Sequence, residues 1–266
     1  MHDTPMQKAP TKKTVAPSLK ALLAHFIDYA GIYPPAKLSI DKAIANFNDY
    51  QASEYSWMLH WIVLGAEQAK DTPKSLNALT SLVAEADDGT AASIETKSIV
   101  LAQKPVYCET APGNSQQLDA IKKANCFAKI RTGGLKPEAI PSTSAVADFI
   151  ADCAARQLAF KATAGLHHPI RSMQPLTYEP DAPHAVMHGF INVLLASCLA
   201  WHGERDIEPI IAETDASKFR FDDAAHWRNK SLSVAQIQDA RKNFIHSVGS
   251  CSFDEPVHDL QALGLL

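Results

Sequence analysis

Two lysines, Lys129 and Lys161, interrupt apolar runs that otherwise have the composition of buried strands. The runs are Cys126-Phe-Ala-Lys-Ile-Arg-Thr-Gly-Gly134 and Leu158-Ala-Phe-Lys-Ala-Thr-Ala-Gly-Leu-His-His168. The segment between the lysines has the pattern of a helix, so their separation matches one βα repeat. We therefore expect the lysines side by side on neighbouring parallel strands. Because a buried lysine is costly unless it is paired or used chemically, the pair indicates an active site.

Strand alternation predicts which way these side chains point. Lys129 shares a face with Arg131, and Lys161 shares a face with Thr163, whereas the opposite faces are apolar and suit packing against helices. Neighbouring cations and an apolar setting would lower a lysine pKa, and a lysine that is neutral near pH 7 can form a Schiff base with a carbonyl. The alternative is that each lysine only pairs with a carboxylate, such as Glu109.

Further groups of catalytic type flank the lysines. Glu109 ends the strand candidate before Lys129, where it could move protons or simply neutralise a lysine. Arg131 precedes Thr132-Gly133-Gly134 and could hold a substrate carboxylate or phosphate through two parallel hydrogen bonds. The glycines would let backbone N–H groups approach that anion, although an ordinary turn also explains them.

A histidine pair, His167 and His168, ends the second lysine segment. One of them should face the same end of the sheet, either as a general acid or base or as a metal ligand. Metal partners could come from Glu109, His188 or Asp222. No ligand pair has a diagnostic spacing such as H-E-x-x-H, so the sequence predicts no bound metal and no cofactor.

The last strand candidate ends in small hydroxyl-bearing residues. Ser250 lies just before Asp254-Glu-Pro256, where a short helix would begin, and such a turn can hold a phosphate or carboxylate. Cys251 is predicted to be a packing residue, because its flanks contain no base that would activate the thiol.

The segment Phe160-Lys-Ala-Thr-Ala-Gly165 resembles the strand that carries the Schiff-base lysine in the class I aldolases of the deoxyribose-phosphate aldolase family. In that family the lysine is followed by Thr-Ser-Thr-Gly or a close variant, and a second lysine before a Gly-Gly turn tunes it. The resemblance implies that Lys161 forms the imine and that Lys129 modulates it. The family's second lysine follows the first in sequence, whereas Lys129 precedes Lys161.

Strand and helix patterns alternate along the chain and predict an α/β protein, a (β/α)8 TIM-like barrel over residues 17–266. An extra helix from Leu19 to Tyr29 precedes the barrel, and the helix between the second and third strands, Glu85 to Ser93, is expected to be irregular or missing. A doubly wound open sheet is the alternative, weakened because no G-x-G-x-x-G follows the first strand. The strand candidates are Trp57–Leu64, Leu79–Ala84, Ile94–Val100, Val106–Thr110, Phe127–Arg131, Phe160–Thr163, Lys218–Phe221 and Phe244–Phe253.

Composition narrows the class of protein. With 46% hydrophobic and 20% charged residues, the 266-residue chain is globular, and residues 1–16, rich in Lys, Pro and Thr, are predicted to be a disordered tail. A net charge of -4 gives no reason to expect nucleic-acid or membrane partners. The five cysteines form no C-x-x-C pair, which predicts neither disulfides nor a zinc site and favours a reducing cytoplasm.

The leading hypothesis from sequence is a lyase of aldolase type that acts on a small anionic carbonyl compound by lysine-imine or enolate chemistry. One alternative is a metal-dependent lyase, isomerase or hydrolase that uses His167, His168 and Glu109. The other is a non-catalytic barrel that binds an anion or a protein partner. The sequence leaves assembly into a homo-oligomer open.

Overall fold

A computed structural model describes residues 14–266. The predicted disordered tail therefore lies outside the described residues, apart from residues 14–16. The strands are β1 (Ile27–Tyr29), β2 (Leu59–Gly65), β3 (Thr80–Val83), β4 (Ser93–Thr96), β5 (Val106–Glu109), β6 (Phe127–Arg131), β7 (Phe160–Thr163), β8 (Ser172–Pro175), β9 (His184–Met187), β10 (Phe219–Phe221), β11 (Ala224–Trp227), β12 (Lys230–Ser233) and β13 (Ile245–Ser250). The α-helices are α1 (Pro17–Leu23), α2 (Ile40–Ala52), α3 (Ala66–Ala69), α4 (Ser115–Lys123), α5 (Thr143–Ala155), α6 (Phe190–Trp201), α7 (Glu208–Ala212), α8 (Val234–Asn243) and α9 (Asp254–Ala262).

Eight parallel strands close into a barrel in the order β1-β13-β7-β6-β5-β4-β3-β2, with helices around it. The predicted TIM-like class is thus confirmed. The connection from β3 to β4, residues 84–92 and all described, contains no helix, as expected. Asp87 and Asp88 instead fold it into a turn by accepting hydrogen bonds from the backbone N–H groups of Gly89 and Thr90.

Two element predictions were wrong. The segment from Leu19 to Tyr29 is not one helix, because α1 ends at Leu23 and the backbone reverses at His25, with φ 47°, to begin β1. All three residues of β1 are buried, so the apolar run has no alternation that would distinguish strand from helix. Lys218–Phe221 is not a barrel strand either: β10 is the edge of a separate antiparallel sheet, β10-β11-β12.

Helix capping and apolar patterns account for α5 and α6. Ser142 accepts a hydrogen bond from the N–H of Ala145 and caps α5, whose buried face includes the predicted set Val146, Phe149, Ile150 and Cys153. The longest apolar helix, α6, is buried from Phe190 to Ala200 and packs against its neighbours α5, α7 and α8. None of the helices among residues 14–266 has both the length and the apolar character needed to span a bilayer.

The long connection from β7 to β13 supplies a cover for the barrel. Its first part is the antiparallel hairpin β8–β9, which continues from the histidine pair at the C-terminal end of β7. Residues of this hairpin and of the loop between its strands line the cavity described below. The hairpin therefore lies over the end of the barrel where catalytic residues of this fold are found.

Candidate active site at the mouth of the barrel

The strand register brings the predicted residues together. Lys129 on β6 is directly opposite Lys161 on β7, and Glu109 on β5 is opposite Lys129. Arg131 is likewise opposite Thr163. The predicted adjacency of the two lysines is confirmed, and Glu109 stands one strand away as expected. The environments of the two lysines, however, differ.

Lys161 belongs to a buried charge network. Its side chain has no solvent exposure, and its ammonium donates to Asp28 Oδ2 and, at 2.6 Å, to Glu95 Oε1. The same ammonium lies 5.2 Å from the centroid of the Tyr107 ring. Asp28 also accepts a hydrogen bond of 2.6 Å from the Ser247 hydroxyl. Lys161 is thus surrounded by groups that stabilise its positive charge.

Electrostatics reverses the expected protonation behaviour of Lys161. Burial alone would lower its pKa, but the charges and hydrogen bonds of Asp28 and Glu95 outweigh burial and raise the pKa above its ordinary value. Burial would raise the pKa of Glu95, yet Lys161 and Lys129 hold it below its usual range. The expectation that the two lysines depress each other's pKa was wrong for Lys161, because the sequence pattern did not reveal the two carboxylates that pair with it.

Lys129 occupies the boundary between this network and open space. Its Nζ lies 3.2 Å from Glu95 Oε2 and 3.1 Å from Glu109 Oε2, so Glu95 bridges the two lysines through different oxygens. Lys129, Glu95 and Glu109 all line the cavity at the mouth, and the Glu109 side chain is 22% exposed. Lys129 is therefore the lysine that a substrate in this cavity would meet.

The cavity measures about 550 Å³, a size that suits a small molecule. Its lower wall is formed by the C-terminal parts of the barrel strands and the loops after them, and its cover by the hairpin β8–β9. Cationic, anionic and aromatic side chains project into it. The lining includes Tyr33, Glu85, Lys97, Arg131, Thr163, Gly134, His167, His168, Tyr178, Cys251 and Glu255.

The predicted anion-binding residues divide into two groups. Arg131, Thr163 and Gly134 line the cavity, and their binding role stays a prediction. Gly133 instead packs strand against strand, because a Cβ at this position would lie 2.8 Å from the Cα of Gly165. Ser250 is buried, and its hydroxyl is engaged by neighbouring groups of the protein.

Both histidines of the predicted pair line the cavity but have different partners. His167 Nδ1 lies 3.1 Å from Ser250 Oγ and 3.4 Å from Glu255 Oε2, and the ring is close to the Cys251 thiol. His168 Nδ1 lies 2.6 Å from Asp259 Oδ2. The histidine with the more buried partners is therefore His167.

The residues suggested as metal partners are engaged elsewhere. His188 Nε2 donates to the carbonyl of Pro141 at 2.8 Å, and Asp222 contacts Arg220 and His226. Within residues 14–266, no group of three or more His, Cys, Asp or Glu side chains is arranged to hold a metal ion. Glu109 faces Lys129, so the geometry of the described chain gives the metal-dependent alternative no support.

Sequence reasoning missed the carboxylates of the buried network. Asp28 stands in a short apolar run, Phe26-Ile-Asp-Tyr29, which is the same pattern that drew attention to the lysines, whereas Glu95 lies in the mostly polar segment Ser93-Ile-Glu-Thr96. Asp28 also contacts His60 Nδ1 at 2.8 Å, and Glu95 accepts from the Ser81 hydroxyl at 3.0 Å. A search for a single charge within an apolar run would have found Asp28 but not Glu95.

Comparison with known proteins adds little to this picture. No family model and no curated protein matches the chain. Among solved structures, a lysine/ornithine decarboxylase complexed with cadaverine from Vibrio vulnificus is similar at 9% sequence identity and a TM-score of 0.40. That match covers 87% of this chain, which spans 58% of the decarboxylase chain. A likeness this distant carries no argument about function, which depends on the site itself.

Proposed function

We propose that the protein is a small-molecule enzyme that acts on an anionic carbonyl compound by enolate chemistry in the mouth cavity. Lys129 would stabilise the oxyanion that develops on the substrate carbonyl, and Glu109 would remove or return the proton on the neighbouring carbon. The observation that carries the proposal is the Lys129–Glu109 ion pair, 3.1 Å long, at the floor of the cavity.

The surroundings of Lys129 favour the enolate over the imine form of this chemistry. An imine needs a neutral amine as the nucleophile, whereas Lys129 is held between Glu95 and Glu109 at 3.2 and 3.1 Å. An ammonium group held in this way is oriented before the substrate arrives, which suits stabilisation of a developing negative charge. Lys161, paired with two carboxylates and fully buried, serves in this proposal as the counter-charge that fixes Glu95.

Two cations on the cavity wall favour a substrate with an anionic group. Arg131 and Lys97 both line it, and within residues 14–266 neither makes an ion pair with a carboxylate. Arg131 lies two residues beyond Lys129 on the same strand, so a carboxylate or phosphate bound there would place the rest of a small substrate toward the lysine. His168, oriented by Asp259, is a further group that could exchange protons with that substrate.

Solvent exchange tests the proposal before the natural substrate is known. The protein is incubated in D₂O with pyruvate, oxaloacetate or dihydroxyacetone phosphate, and deuterium at the carbon next to the carbonyl is followed by NMR. We expect wild-type protein to catalyse exchange with at least one of these probes. Lys129→Met and Glu109→Gln should lower the rate by roughly 100-fold or more, the usual worth of a positioned acid or base. Lys123→Met, which removes an exposed lysine on α4, is the matched control and should retain the rate.

Two results would overturn the proposal: no exchange with any probe, or full exchange by Lys129→Met. Sodium borohydride added during turnover distinguishes an imine mechanism from the enolate mechanism, because it reduces a Schiff base to a stable adduct that peptide mass spectrometry locates. We expect no adduct. Reduction onto Lys129 would replace the enolate mechanism by an imine mechanism at the same residue, and reduction onto Lys161 would contradict the assignment of the two lysines.

A further inference from the structure

A second reactive group, the thiol of Cys251, lies on the wall of the same cavity and is not used by the Lys129 chemistry. Cys251 directly follows β13 and precedes α9, and His167 follows β7. Because β13 and β7 are paired, with Gly249 opposite Thr163, residues distant in sequence meet beyond the strand ends. Cys251 Sγ lies 3.9 Å from His167 Nδ1 and 4.0 Å from His167 Nε2.

The hydrogen bonds of Ser250 determine which nitrogen of His167 can act as a base. The Ser250 hydroxyl donates to the carbonyl of Ser252 at 2.6 Å, so its oxygen must accept the hydrogen bond of 3.1 Å from His167 Nδ1. The proton of the neutral imidazole therefore resides on Nδ1, and Nε2, 4.0 Å from Cys251 Sγ, carries the free lone pair. Glu255, 3.4 Å from Nδ1, stabilises the imidazolium that forms when Nε2 takes a proton.

Charges on neighbouring elements favour the state in which His167 holds the proton. Burial alone lowers the pKa of His167, but the contacts with Cys251 and Glu255 outweigh burial and raise the pKa to about 10. The other titratable groups near the pair are His168, whose ring centroid is 6.4 Å from that of His167, and Tyr178 on the hairpin cover, with Tyr29 on β1.

We propose that Cys251, His167 and Glu255 form a nucleophilic centre that takes an acyl group from a small ester or thioester. The class of substrate follows from the arrangement, since a nucleophile, a base and an acid that orients the base are the parts that acyl transfer needs. The Tyr178 hydroxyl, 3.7 Å from Cys251 Sγ, is placed to donate to the oxyanion that forms on the acyl carbon. This centre is distinct from the Lys129–Glu109 pair and does not depend on the enolate proposal.

The reaction balances with water as the second substrate. The thiol proton passes to Nε2 of His167 as Sγ bonds to the acyl carbon and the carbonyl electron pair moves to oxygen. When that intermediate collapses, the bond to the leaving alcohol or thiol breaks, and the leaving group takes the proton from Nε2. Water then attacks the acyl carbon of the thioester and gives a proton to Nε2. When this second intermediate collapses, the bond from carbon to Sγ breaks, Sγ takes the proton from Nε2, and the carboxylic acid leaves.

Acylation by p-nitrophenyl acetate tests the centre in the full-length protein. We expect a burst of one p-nitrophenolate per protein chain, with the acetyl group located on Cys251 by peptide mass spectrometry. Cys251→Ala should abolish the burst. His167→Asn should slow it by roughly 100-fold, as expected for loss of a general base. Cys126→Ala is the matched control, because Cys126 and Cys251 are each 5% exposed and Cys126 lies outside the cavity lining.

A second measurement guards against a merely structural effect of the His167 substitution. The rate of Cys251 alkylation by iodoacetamide is followed against pH, with circular dichroism confirming the fold. Wild-type protein should be alkylated at Cys251 several-fold faster than His167→Asn at each pH from 6 to 8, because only the wild type has a base beside the thiol. Acetylation of any other residue, or an equal rate of Cys251 alkylation in His167→Asn, would overturn the proposal.

Discussion

Lys129 and Lys161 are opposite each other on paired strands, yet they belong to two regions with different roles. Lys161 is fully buried between Asp28 and Glu95, whereas Lys129 faces the cavity and shares Glu109, whose side chain reaches solvent. The same residue type on the same face of the same sheet thus serves the core in one case and the site in the other. Contact with the cavity, rather than strand parity, separates the two roles.

The buried network is also closed by hydrogen bonds, while the cavity wall retains unengaged charge. Ser247 and His60 contact Asp28, and Ser81 donates to Glu95, so each carboxylate has several partners. Breaking such a network is expensive, because a charge left without its partner cannot regain water. Removal of a charged side chain from the cavity wall should cost less stability, because the partner that remains can be hydrated. A site that exchanges water for substrate requires such access to water.

The largest expected effect on stability comes from substitution of Lys161, the buried lysine. Lys161→Met leaves Asp28 and Glu95 without their common counter-charge, and we expect it to lower the free energy of unfolding by about 3–5 kcal/mol. Urea denaturation followed by circular dichroism measures this loss, with Lys123→Met as the control. A loss below about 1 kcal/mol, the level of an exposed ion pair, would show that Lys161 is not the centre of a buried network.

A second prediction concerns the pH dependence of the free energy of unfolding and the part of it that is due to His167 on the cavity wall. The pKa of His167 is raised from 6.5 to about 10, so the folded state holds a proton that the unfolded chain releases. Its contribution is fully present below pH 6.5 and is lost as the pH rises to about 10. We expect the free energy of unfolding to fall by up to about 1.4 kcal/mol per pH unit in that window. His167→Asn should flatten the slope; an equal slope in both proteins would assign it to other groups.

A third prediction tests the close contact that holds β6 against β7 at the mouth. Gly133→Ala would place a Cβ 2.8 Å from the Cα of Gly165, a backbone atom that cannot turn aside. We expect a loss of about 1–3 kcal/mol in the free energy of unfolding, the usual cost of overpacking. Thermal denaturation measures the change. A stability equal to that of wild type would mean that the strands separate here without cost.

The smallest stability effect should come from Lys129→Met. Glu95 keeps its bond to Lys161, and Glu109 is exposed enough to regain water, so we expect a loss of roughly 1 kcal/mol, near the value of a partly exposed ion pair. Urea denaturation in parallel with Lys161→Met gives the ratio of the two losses directly. Equal losses would remove the distinction between core lysine and site lysine.

The sequence predicted the barrel class and the adjacency of Lys129, Lys161 and Glu109, because apolar runs and βα spacing are local properties. It did not predict the partners of Lys161, since Asp28 lies 133 residues away and reaches it only when the barrel closes. β1 was missed because a three-residue strand buried on both faces has no period.

The contact between Cys251 and His167 could not be predicted from the sequence for the same reason. Cys251 was predicted to be a packing residue because no base lies near it in sequence, and its base, His167, is 84 residues away. Pairing of β7 with β13 brings them together, and the sequence does not state which distant strands will pair. Local chemistry could be predicted from local pattern, whereas contacts across the closure of the barrel could not.

Reductive methylation of the native protein with formaldehyde and cyanoborohydride tests the central claim most directly. The reagents are small enough to enter the cavity, and peptide mass spectrometry reports the modification of each lysine separately. The account predicts that Lys129 is methylated in the folded protein, while Lys161 stays unmodified until the protein is unfolded in urea. Methylation of Lys161 at a rate equal to or above that of Lys129 in the folded protein would contradict the account.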